Sequence, residues 1–383
     1  MKLSHSKLTC ILNCPMTYYL QYKVGIFPKI EKPALAIGSA VHWGIEHNTE
    51  DLTEYYSQDF KTKDSYGHDQ LLAEAMVHGY MKNKESIFDT ILRDPDTGEM
   101  LKIVDEMHEV YITGKLKSYR FDEKHDFVGI IDLLLLVENS NGELFFIIID
   151  YKTSSAIPNW DDYLEQIYRY IFLLRSTCEE IPIKKIGIIN IRKTAIRQKS
   201  KETWEQYLRR LKQEYDINDD NLVNVHMYNN NELDKTIVDA YIDNLSKMAD
   251  TAQLIDDNNM WFINFPAANG KYGKSQYWDI FYRTRDCYVL YNISDKIYNK
   301  NIDEFLTKRD CRPLDMNVID RTDVLNKYDK FKTQALAFYD MNKDISKETL
   351  FVYLKKNFLT DDMLLDAYWS TLEYEISHNS ESN

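Results

Sequence analysis

Three charged residues lie at the ends of two neighbouring apolar segments. Asp150 and Lys152 follow the apolar run 145–149, and Asp132 interrupts the apolar run 128–137. Side chains two residues apart on a β-strand point to the same face of a sheet, so Asp150 and Lys152 are expected to share a face. A carboxylate within an apolar segment needs a partner, because an isolated buried charge destabilises the fold. The pattern therefore indicates a paired charged site at the end of a buried strand.

The polar turn at 138–143 predicts how the two segments pair. A three-residue loop at 140–142, with Gly142 in the left-handed conformation, places Asp132 directly opposite Asp150. Opposed residues on antiparallel strands have β-carbons about 5 Å apart. Two carboxylates this close repel each other unless a divalent cation lies between them. The spacing therefore predicts a metal site, and the alternative interpretation is a pair of charged strand ends in solvent.

Two predicted helices carry further polar residues that could complete such a site. Gln166 and Tyr170 are four residues apart and therefore lie on one face of the amphipathic helix that follows Lys152. His42, in the segment GSAVHWGIEH, lies on a helix predicted to begin near Ala36. Taken singly, each of these residues is typical of an ordinary packed helix.

In combination, these motifs resemble the PD-(D/E)xK nuclease superfamily, in its RecB-like branch. That branch includes helicase–nuclease subunits, CRISPR-adaptation nucleases and many phage exonucleases. The matching segments are G-x-x-D ending at Asp132, D-x-K at 150–152, Q-x-x-x-Y at 166–170, GSAVHWGIEH, and the opening helix LSHSKLTCILNCPMTYYLQY. The resemblance covers residues 4 to about 195. It implies a restriction-endonuclease-like core, in which a small mixed β-sheet is flanked by helices.

The resemblance also implies a set of metal ligands. Asp132, Asp150, His42 and the backbone carbonyl of Tyr151 would bind Mg²⁺ or Mn²⁺. Carboxylate and carbonyl oxygens suit these ions, and the single imidazole favours Mn²⁺. A metal ion in this position would lower the pKa of the attacking water and neutralise the scissile phosphate.

The remaining motif residues receive catalytic and supporting roles from the same resemblance. Lys152 would orient the attacking water and help to deprotonate it, or would stabilise charge on the phosphorane. Gln166 and Tyr170 would brace the site and contact the DNA strand. Glu109, on the first predicted strand, is a candidate for an additional acid.

Many RecB-like nucleases hold a [4Fe-4S] cluster with four cysteines, and this sequence departs from that pattern. Cys14 lies where the first cysteine is expected, but only Cys287 follows the FP-x-x-N segment closely, and Cys311 is far downstream. We therefore expect no iron–sulfur cluster. Aromatic packing is expected to replace the clasp that the cluster would provide. The aromatic residues concerned are Trp261, Phe262, Phe265, Tyr277 and Trp278.

A basic stretch after the Q-x-x-x-Y helix predicts a rim that contacts DNA phosphates. Its members are Lys184, Lys185, Arg192, Lys193, Arg197, Lys199 and Lys201. The net charge of −14 argues against non-specific coating of nucleic acid, but a local basic groove is sufficient for a nucleic-acid enzyme. The alternative for this stretch is an ordinary solvated charged loop.

The 383 residues predict an α/β fold with one main domain and an extension. We expect a nuclease domain at 1–290, with a helical insertion at about 49–101, and a mainly helical C-terminal extension at 291–383. The five scattered cysteines and the absence of a long apolar segment favour the cytoplasm of a bacterium or of a phage-infected host.

The expected function is that of an Mg²⁺- or Mn²⁺-dependent deoxyribonuclease. We expect an exonuclease that hydrolyses phosphodiester bonds at single- or double-stranded DNA ends in recombination, repair or phage replication. A helicase, a recombinase or a single-strand-binding protein is the expected partner, and no membrane is involved. Two alternatives stay open: a catalytically weak DNA-binding or scaffold subunit of a larger complex, and a defence endonuclease with the same metal site.

Overall fold

The computed structural model describes residues 1–28, 33–57, 66–95, 97–228, 234–270, 273–281, 291–293, 312–314, 322–341, 349, 352–354 and 356. The described helices are α1 (His5–Asn13), α2 (Pro15–Tyr18), α3 (Pro33–Glu46), α4 (Thr53–Ser57), α5 (Tyr66–Leu92), α6 (Leu164–Thr177), α7 (Trp204–Ile217), α8 (Asp219–Leu222), α9 (Lys235–Asp257), α10 (Phe265–Ala268), α11 (Trp278–Phe281) and α12 (Thr322–Met341). A π-helical turn (Tyr19–Val24) follows α2, and a 3₁₀ turn (Trp160–Tyr163) precedes α6.

The described strands form one large sheet and two small ones. They are β1 (Lys2–Ser4), β2 (Ile26–Pro28), β3 (Lys102–Leu116), β4 (His125–Glu138), β5 (Leu144–Ser154), β6 (Ile183–Arg192), β7 (Val223–Met227), β8 (Asn269–Gly270), β9 (Gly273–Lys274), β10 (Tyr291–Ile293) and β11 (Arg312–Pro313). The large sheet has the order β11-β3-β4-β5-β6-β7, and β1 also pairs with β4.

The large sheet is mixed, because an antiparallel meander continues into a parallel strand. β3, β4 and β5 are antiparallel neighbours, β6 runs parallel to β5, and β7 runs antiparallel to β6. The connection from β5 to the parallel strand β6 passes through α6, as parallel pairs require. A mixed sheet flanked by helices confirms the predicted α/β class.

Helices cover both faces of this sheet. One face packs against α1, α6 and α9, and we call it the α6 face; the other packs against α3, α5 and α7, and we call it the α5 face. Ile148 and Ile188 lie on the α6 face, whereas Ile149 and Ile189 lie on the α5 face. All four side chains are fully buried. The continuous apolar sequences of β5 and β6 are therefore explained by burial on both faces.

The hairpin between β4 and β5 has the predicted register. Gly142 has a φ of 75°, and the Asn139 N–H donates to the Glu143 carbonyl across the turn, at 3.0 Å. Leu133 lies opposite Ile149 at the far end of the paired segment. Asp132 and Asp150 are the next residues in this register, so the turn sets the two carboxylates at the same level of the sheet.

The regular alternation of β4 side chains between the two faces of the sheet is interrupted at Asp132. Ile131 packs on the α6 face, but so does Leu134, three residues later. On β3, Glu109 lies between His108 and Val110, which pair with the residues on either side of Asp132. Glu109 has a φ of 48°, in the left-handed region that non-glycine residues seldom adopt. A local backbone irregularity therefore re-aims the side chains of two acids on adjacent strands.

The proposed insertion and extension are both represented among the described residues. α4 and α5 lie within the predicted insertion at about 49–101. Beyond residue 290, β10 pairs with β2, β11 pairs in parallel with β3, and α12 follows. Strands on both sides of the predicted boundary thus pair with each other, and the division at 290 stays a proposal. Among the described residues, the helices all lack a stretch apolar and long enough to span a membrane.

Candidate active site

Asp150 lies at the carboxyl end of β5, on the α6 face, and is 1% exposed. Its Oδ1 accepts hydrogen bonds from Gln166 Nε2 at 2.9 Å and from the Tyr170 hydroxyl at 3.2 Å. Its Oδ2 forms an ion pair with Lys152 Nζ at 2.6 Å. Burial raises the pKa of Asp150; Lys152 opposes this shift, and the nearby carboxylate of Asp132 adds to it.

Lys152 lies two residues farther along the same face, as the strand periodicity predicts. Its ammonium donates to Gln166 Oε1 at 3.0 Å and lies 5.2 Å from the centre of the Tyr163 ring. Burial alone would lower the pKa of Lys152, but the carboxylates of Asp150 and Asp132 raise it above the usual value. The side chain therefore carries a positive charge at neutral pH and keeps about a fifth of its surface exposed, at 21%.

Gln166 forms hydrogen bonds with both Asp150 and Lys152. Its amide nitrogen donates to Asp150 and, at 2.6 Å, to the Tyr170 hydroxyl, while its amide oxygen accepts from Lys152. An amide side chain offers both a donor and an acceptor, whereas a carboxylate would offer only acceptors. The Q-x-x-x-Y spacing places Gln166 and Tyr170 on one helix face, and Gln166 contacts both members of the D-x-K pair.

A glycine in β4 allows α6 to lie close to the sheet. A β-carbon added at Gly129 would lie 2.7 Å from Leu173 Cδ1 and 3.8 Å from the Tyr170 ring. A larger residue would therefore require the Leu173 side chain to shift. The glycine of the G-x-x-D motif thus lies directly under Leu173 and Tyr170 of α6, three residues before Asp132 in the same strand.

Asp132 and His42 form the other half of the site. Asp132 Oδ2 accepts the Tyr151 N–H at 2.8 Å and lies 3.7 Å from His42 Nδ1. His42 belongs to α3, which packs on β5 through Gly38, one turn earlier. A β-carbon at Gly38 would lie 3.1 Å from Thr153 Oγ1 of β5. The close packing of α3 on β5 thus brings the imidazole to the carboxylate.

Glu109 joins this cluster, although the sequence singled it out only as a candidate for an additional acid. Ligand atoms of His42, Glu109 and Asp132 all lie within 4.8 Å of one another. Glu109 is 5% exposed, and its backbone irregularity turns it toward Asp132 on the neighbouring strand. The available sequence signal was an acidic residue on a strand that pairs with the strand of Asp132. Its position between His108 and Val110 follows from the register of β3.

The side chains at this site fit a divalent cation. The carboxylates of Glu109 and Asp132 and the imidazole of His42 form a clustered donor set, and the carboxylate of Asp132 also influences the charge of Asp150. Such a set suits Mg²⁺ and, with its nitrogen ligand, Mn²⁺. Among the described residues, Asp150 Oδ2 has no hydrogen-bond donor of acceptable geometry, and the Lys152 ammonium is its ionic contact. A buried carboxylate oxygen with spare lone pairs is what a metal ion requires.

The side chain and the backbone of Tyr151 serve different purposes. The side chain lies on the α5 face, where its hydroxyl is 3.1 Å from that of Tyr80, and burial raises its pKa well above the usual value. The backbone N–H holds Asp132. A metal-ligand role for the Tyr151 carbonyl stays a prediction.

Two of the predicted rim residues are buried, so they do not belong to an exposed DNA-contacting surface. Lys184 is 2% exposed, and its ammonium lies 3.4 Å from Asp94 Oδ2. Lys185 donates to three carbonyls at the carboxyl end of α5, those of Thr90, Ile91 and Arg93, at 2.9, 2.6 and 2.8 Å. A register shift between β5 and β6 at Phe146 and Ile147 inserts an extra residue there. This irregularity directs both lysines into the protein.

The other predicted rim residues lie near the protein surface. Arg192 Nη1 donates to the Asn221 carbonyl at 2.9 Å, and Lys193 Nζ donates to the Ala34 carbonyl at 3.2 Å. Arg197 is exposed, as are Lys199 and Lys201. A phosphate-contacting role for these residues stays a proposal.

The aromatic segment predicted as a clasp contacts the N-terminal helices. Trp261 stacks on Tyr18 with ring centres 5.9 Å apart, and the Met16 N–H donates to the Phe262 carbonyl at 3.1 Å. Tyr277 is fully buried, and its hydroxyl donates to the Ile26 carbonyl at 2.8 Å. Phe262 and Phe265 keep about half of their surface exposed, at 51% and 55%.

The cysteines of the predicted cluster pattern lie only partly within the described residues. Cys14 is buried beside the clasp, and Cys287 and Cys311 lie outside the described residues. Burial, with a smaller contribution from Cys14, raises the pKa of the nearby Cys10 to about 12.

Comparison with known proteins identifies the class. The model of the PD-(D/E)XK nuclease superfamily matches residues 2–256 of this chain. The chain therefore belongs to the PD-(D/E)XK nuclease superfamily. Membership implies a nuclease that hydrolyses phosphodiester bonds, and members typically use divalent metal ions such as Mg²⁺. The mixed sheet and its helices agree with the restriction-endonuclease-like fold of this superfamily.

Two further comparisons add little to this assignment. A solved structure described as the crystal structure of SSO0001 is 14% identical in sequence to this chain, with a TM-score of 0.22. The match covers 56% of this chain and 75% of the other chain. A TM-score this low supports no conclusion about fold or function. The search of curated proteins found no match.

Proposed function

We propose that this protein is a metal-dependent deoxyribonuclease of the RecB-like branch and that it removes nucleotides from DNA ends. One observation carries the proposal: Asp150, Lys152, Gln166 and Tyr170 form a closed hydrogen-bonded set directly beside the cluster of His42, Glu109 and Asp132. These seven residues come from five different elements of the fold, α3, β3, β4, β5 and α6. The opening helix and the GSAVHWGIEH segment support the RecB-like branch, and that branch supports an exonuclease.

The proposed metal ligands are Asp132, Asp150, His42 and Glu109, together with the Tyr151 carbonyl. Mg²⁺ or Mn²⁺ bound there supplies charge for the scissile phosphate and an acidified water. Two of these ligands are held in place by backbone and helix contacts before any ion binds, because Asp132 accepts the Tyr151 N–H and Asp150 accepts from Gln166. Preorganised ligands of this kind need little rearrangement to bind an ion.

Lys152 is the proposed charge stabiliser and helps to orient the attacking water. Its ammonium is held beside Asp150 and Gln166, so it lies where negative charge would develop on the phosphate oxygens. Gln166 and Tyr170 fix the orientation of Asp150 Oδ1. Neither side chain needs to exchange protons for this role, and burial raises the pKa of Tyr170 well above its usual value.

A cleavage assay tests this function. Labelled linear and circular DNA, each single- and double-stranded, is incubated with the protein and Mg²⁺ or Mn²⁺, beside an RNA of the same sequence. We expect degradation of linear DNA from its ends, no cutting of circles, and loss of activity in Asp150→Asn. The matched control is Asp105→Asn, a substitution of an exposed aspartate on β3 of the same sheet, which should keep full activity.

The outcomes separate the alternatives. Cutting of circles as fast as linear DNA would favour the defence endonuclease, and DNA binding without cleavage would favour the scaffold subunit. Faster cleavage of RNA than of DNA would reject the deoxyribonuclease. Addition of a helicase, recombinase or single-strand-binding protein to the assay tests the proposed partners by a change in rate.

A further inference from the structure

Asn190 is a buried polar residue that the site described above does not use. It lies near the carboxyl end of β6 and is 0% exposed. Neither its Oδ1 nor its Nδ2 has a hydrogen-bond partner among the described residues. Buried side-chain amides are almost always hydrogen-bonded, because a buried amide without partners destabilises the fold. The buried Asn190 side chain without hydrogen-bond partners is therefore expected to bind a group in another state of the protein.

The position of Asn190 indicates which group this is. In the parallel pairing of β5 and β6, Asn190 is the register partner of Lys152. Both side chains lie on the α6 face, because Ile188, two residues before Asn190, packs there together with Ile148. Register partners on neighbouring strands have β-carbons about 5 Å apart, which is well within the reach of a lysine side chain.

Lys152 has two acceptors in the present structure, and one of them is a proposed metal ligand. The ammonium contacts Asp150 Oδ2 at 2.6 Å and Gln166 Oε1 at 3.0 Å. When Asp150 Oδ2 binds a cation, its lone pairs and its charge are no longer available to the ammonium to the same extent. The ammonium then keeps Gln166 Oε1 and, with three N–H donors, can take a further acceptor in place of Asp150.

We propose that Asn190 is a positioning residue whose Oδ1 accepts the Lys152 ammonium when Asp150 binds the metal ion. This inference rests on the proposed nuclease function and adds a residue to it. Asn190 keeps Lys152 over the site while Asp150 serves as a ligand. The Asn190 amide oxygen, which has no hydrogen-bond partner in the present structure, accepts this hydrogen bond in the metal-bound protein.

Substitution by leucine distinguishes this role from simple packing. Asn190→Leu keeps the approximate volume but removes both unpartnered polar atoms, so its melting temperature should rise. The cleavage rate should fall by roughly ten- to a hundredfold, as expected for one hydrogen bond to a charged group. Asn190→Asp keeps the acceptor and should lose much less of the rate. The matched control is Asn224→Leu, because Asn224 pairs with Asn190 from the next strand, farther from Lys152.

A spectroscopic measurement gives a readout that does not depend on turnover. In protein labelled with ¹³C at asparagine side-chain carbonyls, the Asn190 resonance is assigned by its loss in Asn190→Leu. Ca²⁺ has the same preference for oxygen ligands and is added in place of Mg²⁺. We expect the Asn190 carbonyl resonance to shift on addition of Ca²⁺ in the wild type and to stay in place in Lys152→Met.

These outcomes separate the inference from the function on which it rests. If the wild type cleaves DNA but Asn190→Leu cleaves at the same rate, the proposed role of Asn190 is wrong and the proposed nuclease function is unaffected. The same holds if the Asn190 carbonyl resonance of the wild type does not shift when Ca²⁺ is added. An equal loss of rate in Asn224→Leu would also reject it, since the effect would not be specific to the partner of Lys152. If the wild type neither binds a metal ion nor cleaves DNA, both proposals fail together.

Discussion

Two buried lysine–aspartate pairs lie near opposite ends of the strands β5 and β6. Lys152 and Asp150 meet at the carboxyl end of β5, with Nζ and Oδ2 separated by 2.6 Å. Lys184 meets Asp94 near the start of β6, with Nζ and Oδ2 separated by 3.4 Å. The side chain of Lys152 is 21% exposed, and the side chain of Lys184 is 1% exposed. The lysine of the first pair is therefore partly open to solvent, whereas the lysine of the second pair is enclosed by the protein. We call them the open pair and the closed pair.

The difference shows that burial and pairing of charges do not by themselves define an active site. Lys184 lies over the Phe145 ring at 4.9 Å, and its neighbour Lys185 binds carbonyls at the end of α5, so this region ties a helix to the sheet. Lys152 instead lies near two carboxylates, Asp150 and Asp132, whose mutual repulsion is relieved by a cation. The neighbouring charges distinguish the proposed catalytic pair, Lys152 and Asp150, from the pair of Lys184 and Asp94.

The largest expected effect breaks the open pair. Lys152→Met should reduce DNA cleavage by about 10³-fold, because it removes the positive charge proposed to stabilise the scissile phosphate. Asp150 keeps its donors Gln166 and Tyr170, so the melting temperature should change much less than the rate. Single-turnover cleavage and thermal melting are measured on the same preparation. Wild-type cleavage by Lys152→Met would remove this residue from the proposed mechanism.

The converse substitution breaks the closed pair. Lys184→Met removes the ammonium that lies 3.4 Å from the buried carboxylate of Asp94 and should lower the free energy of unfolding by about 3 kcal/mol. Below its melting temperature the variant should cleave DNA at the wild-type rate. Urea unfolding gives the stability and the cleavage assay gives the rate. A loss of rate with unchanged stability would mean that the two pairs had been assigned the wrong roles.

A third substitution tests how the closed region supports α5. Lys185→Met removes three hydrogen bonds from an ammonium to the carbonyls that end the helix, and should cost about 3 kcal/mol. Hydrogen exchange should increase first in the last turn of α5. Lys199→Met, a substitution at an exposed position in the loop that follows β6, is the control and should leave stability unchanged. Unchanged protection in α5 would show that this lysine does not hold the helix end.

The smallest expected effect depends on pH and probes the open pair from its N-terminal side. Burial, Arg169 and Lys152 together lower the pKa of His5 from 6.5 to about 4. The unfolded chain takes up this proton near pH 6.5 and the folded chain only near pH 4, so stability is full above pH 6.5 and decreases between these values. The loss should be about 2 kcal/mol after allowance for partial exposure.

His5→Gln cannot take up the proton and should remove that part of the pH dependence. Urea unfolding midpoints of both proteins between pH 7 and pH 4 provide the comparison. The same slope in both would show that His5 titrates normally in the folded protein.

The site could be predicted from the sequence where local rules determine the geometry. The turn glycine Gly142 set the register of the hairpin, and that register brought Asp132 and Asp150 to the same end of the paired segment, next to Leu133 and Ile149. Strand periodicity put Lys152 on the face of Asp150, and helix periodicity put Gln166 and Tyr170 on one face of α6. Each of these relations spans fewer than about twenty residues along the chain, within which propensity and periodicity are informative.

The rest depended on contacts between distant segments. The interrupted alternation at Asp132 and the positive φ of Glu109 have no local sequence signal, so the sequence raised this acid only as a candidate. Lys184 and Lys185 look like an exposed basic stretch, but a register shift in β6 and the end of α5 bury them. The contact between Gly38 and Thr153, which brings His42 to the site, likewise joins segments far apart in sequence.

The central claim is that His42, Glu109, Asp132 and Asp150 form one site for a divalent cation, and Mn²⁺ binding tests it most directly. Electron paramagnetic resonance of Mn²⁺ titrated into the wild type should show saturable binding, and Mg²⁺ should compete for it. Binding should weaken at least roughly tenfold in Glu109→Gln and Asp132→Asn, since each loses a charged ligand, and should be unchanged in Asp105→Asn. Equal Mn²⁺ affinity in all four proteins, or no saturable binding in the wild type, would contradict the account.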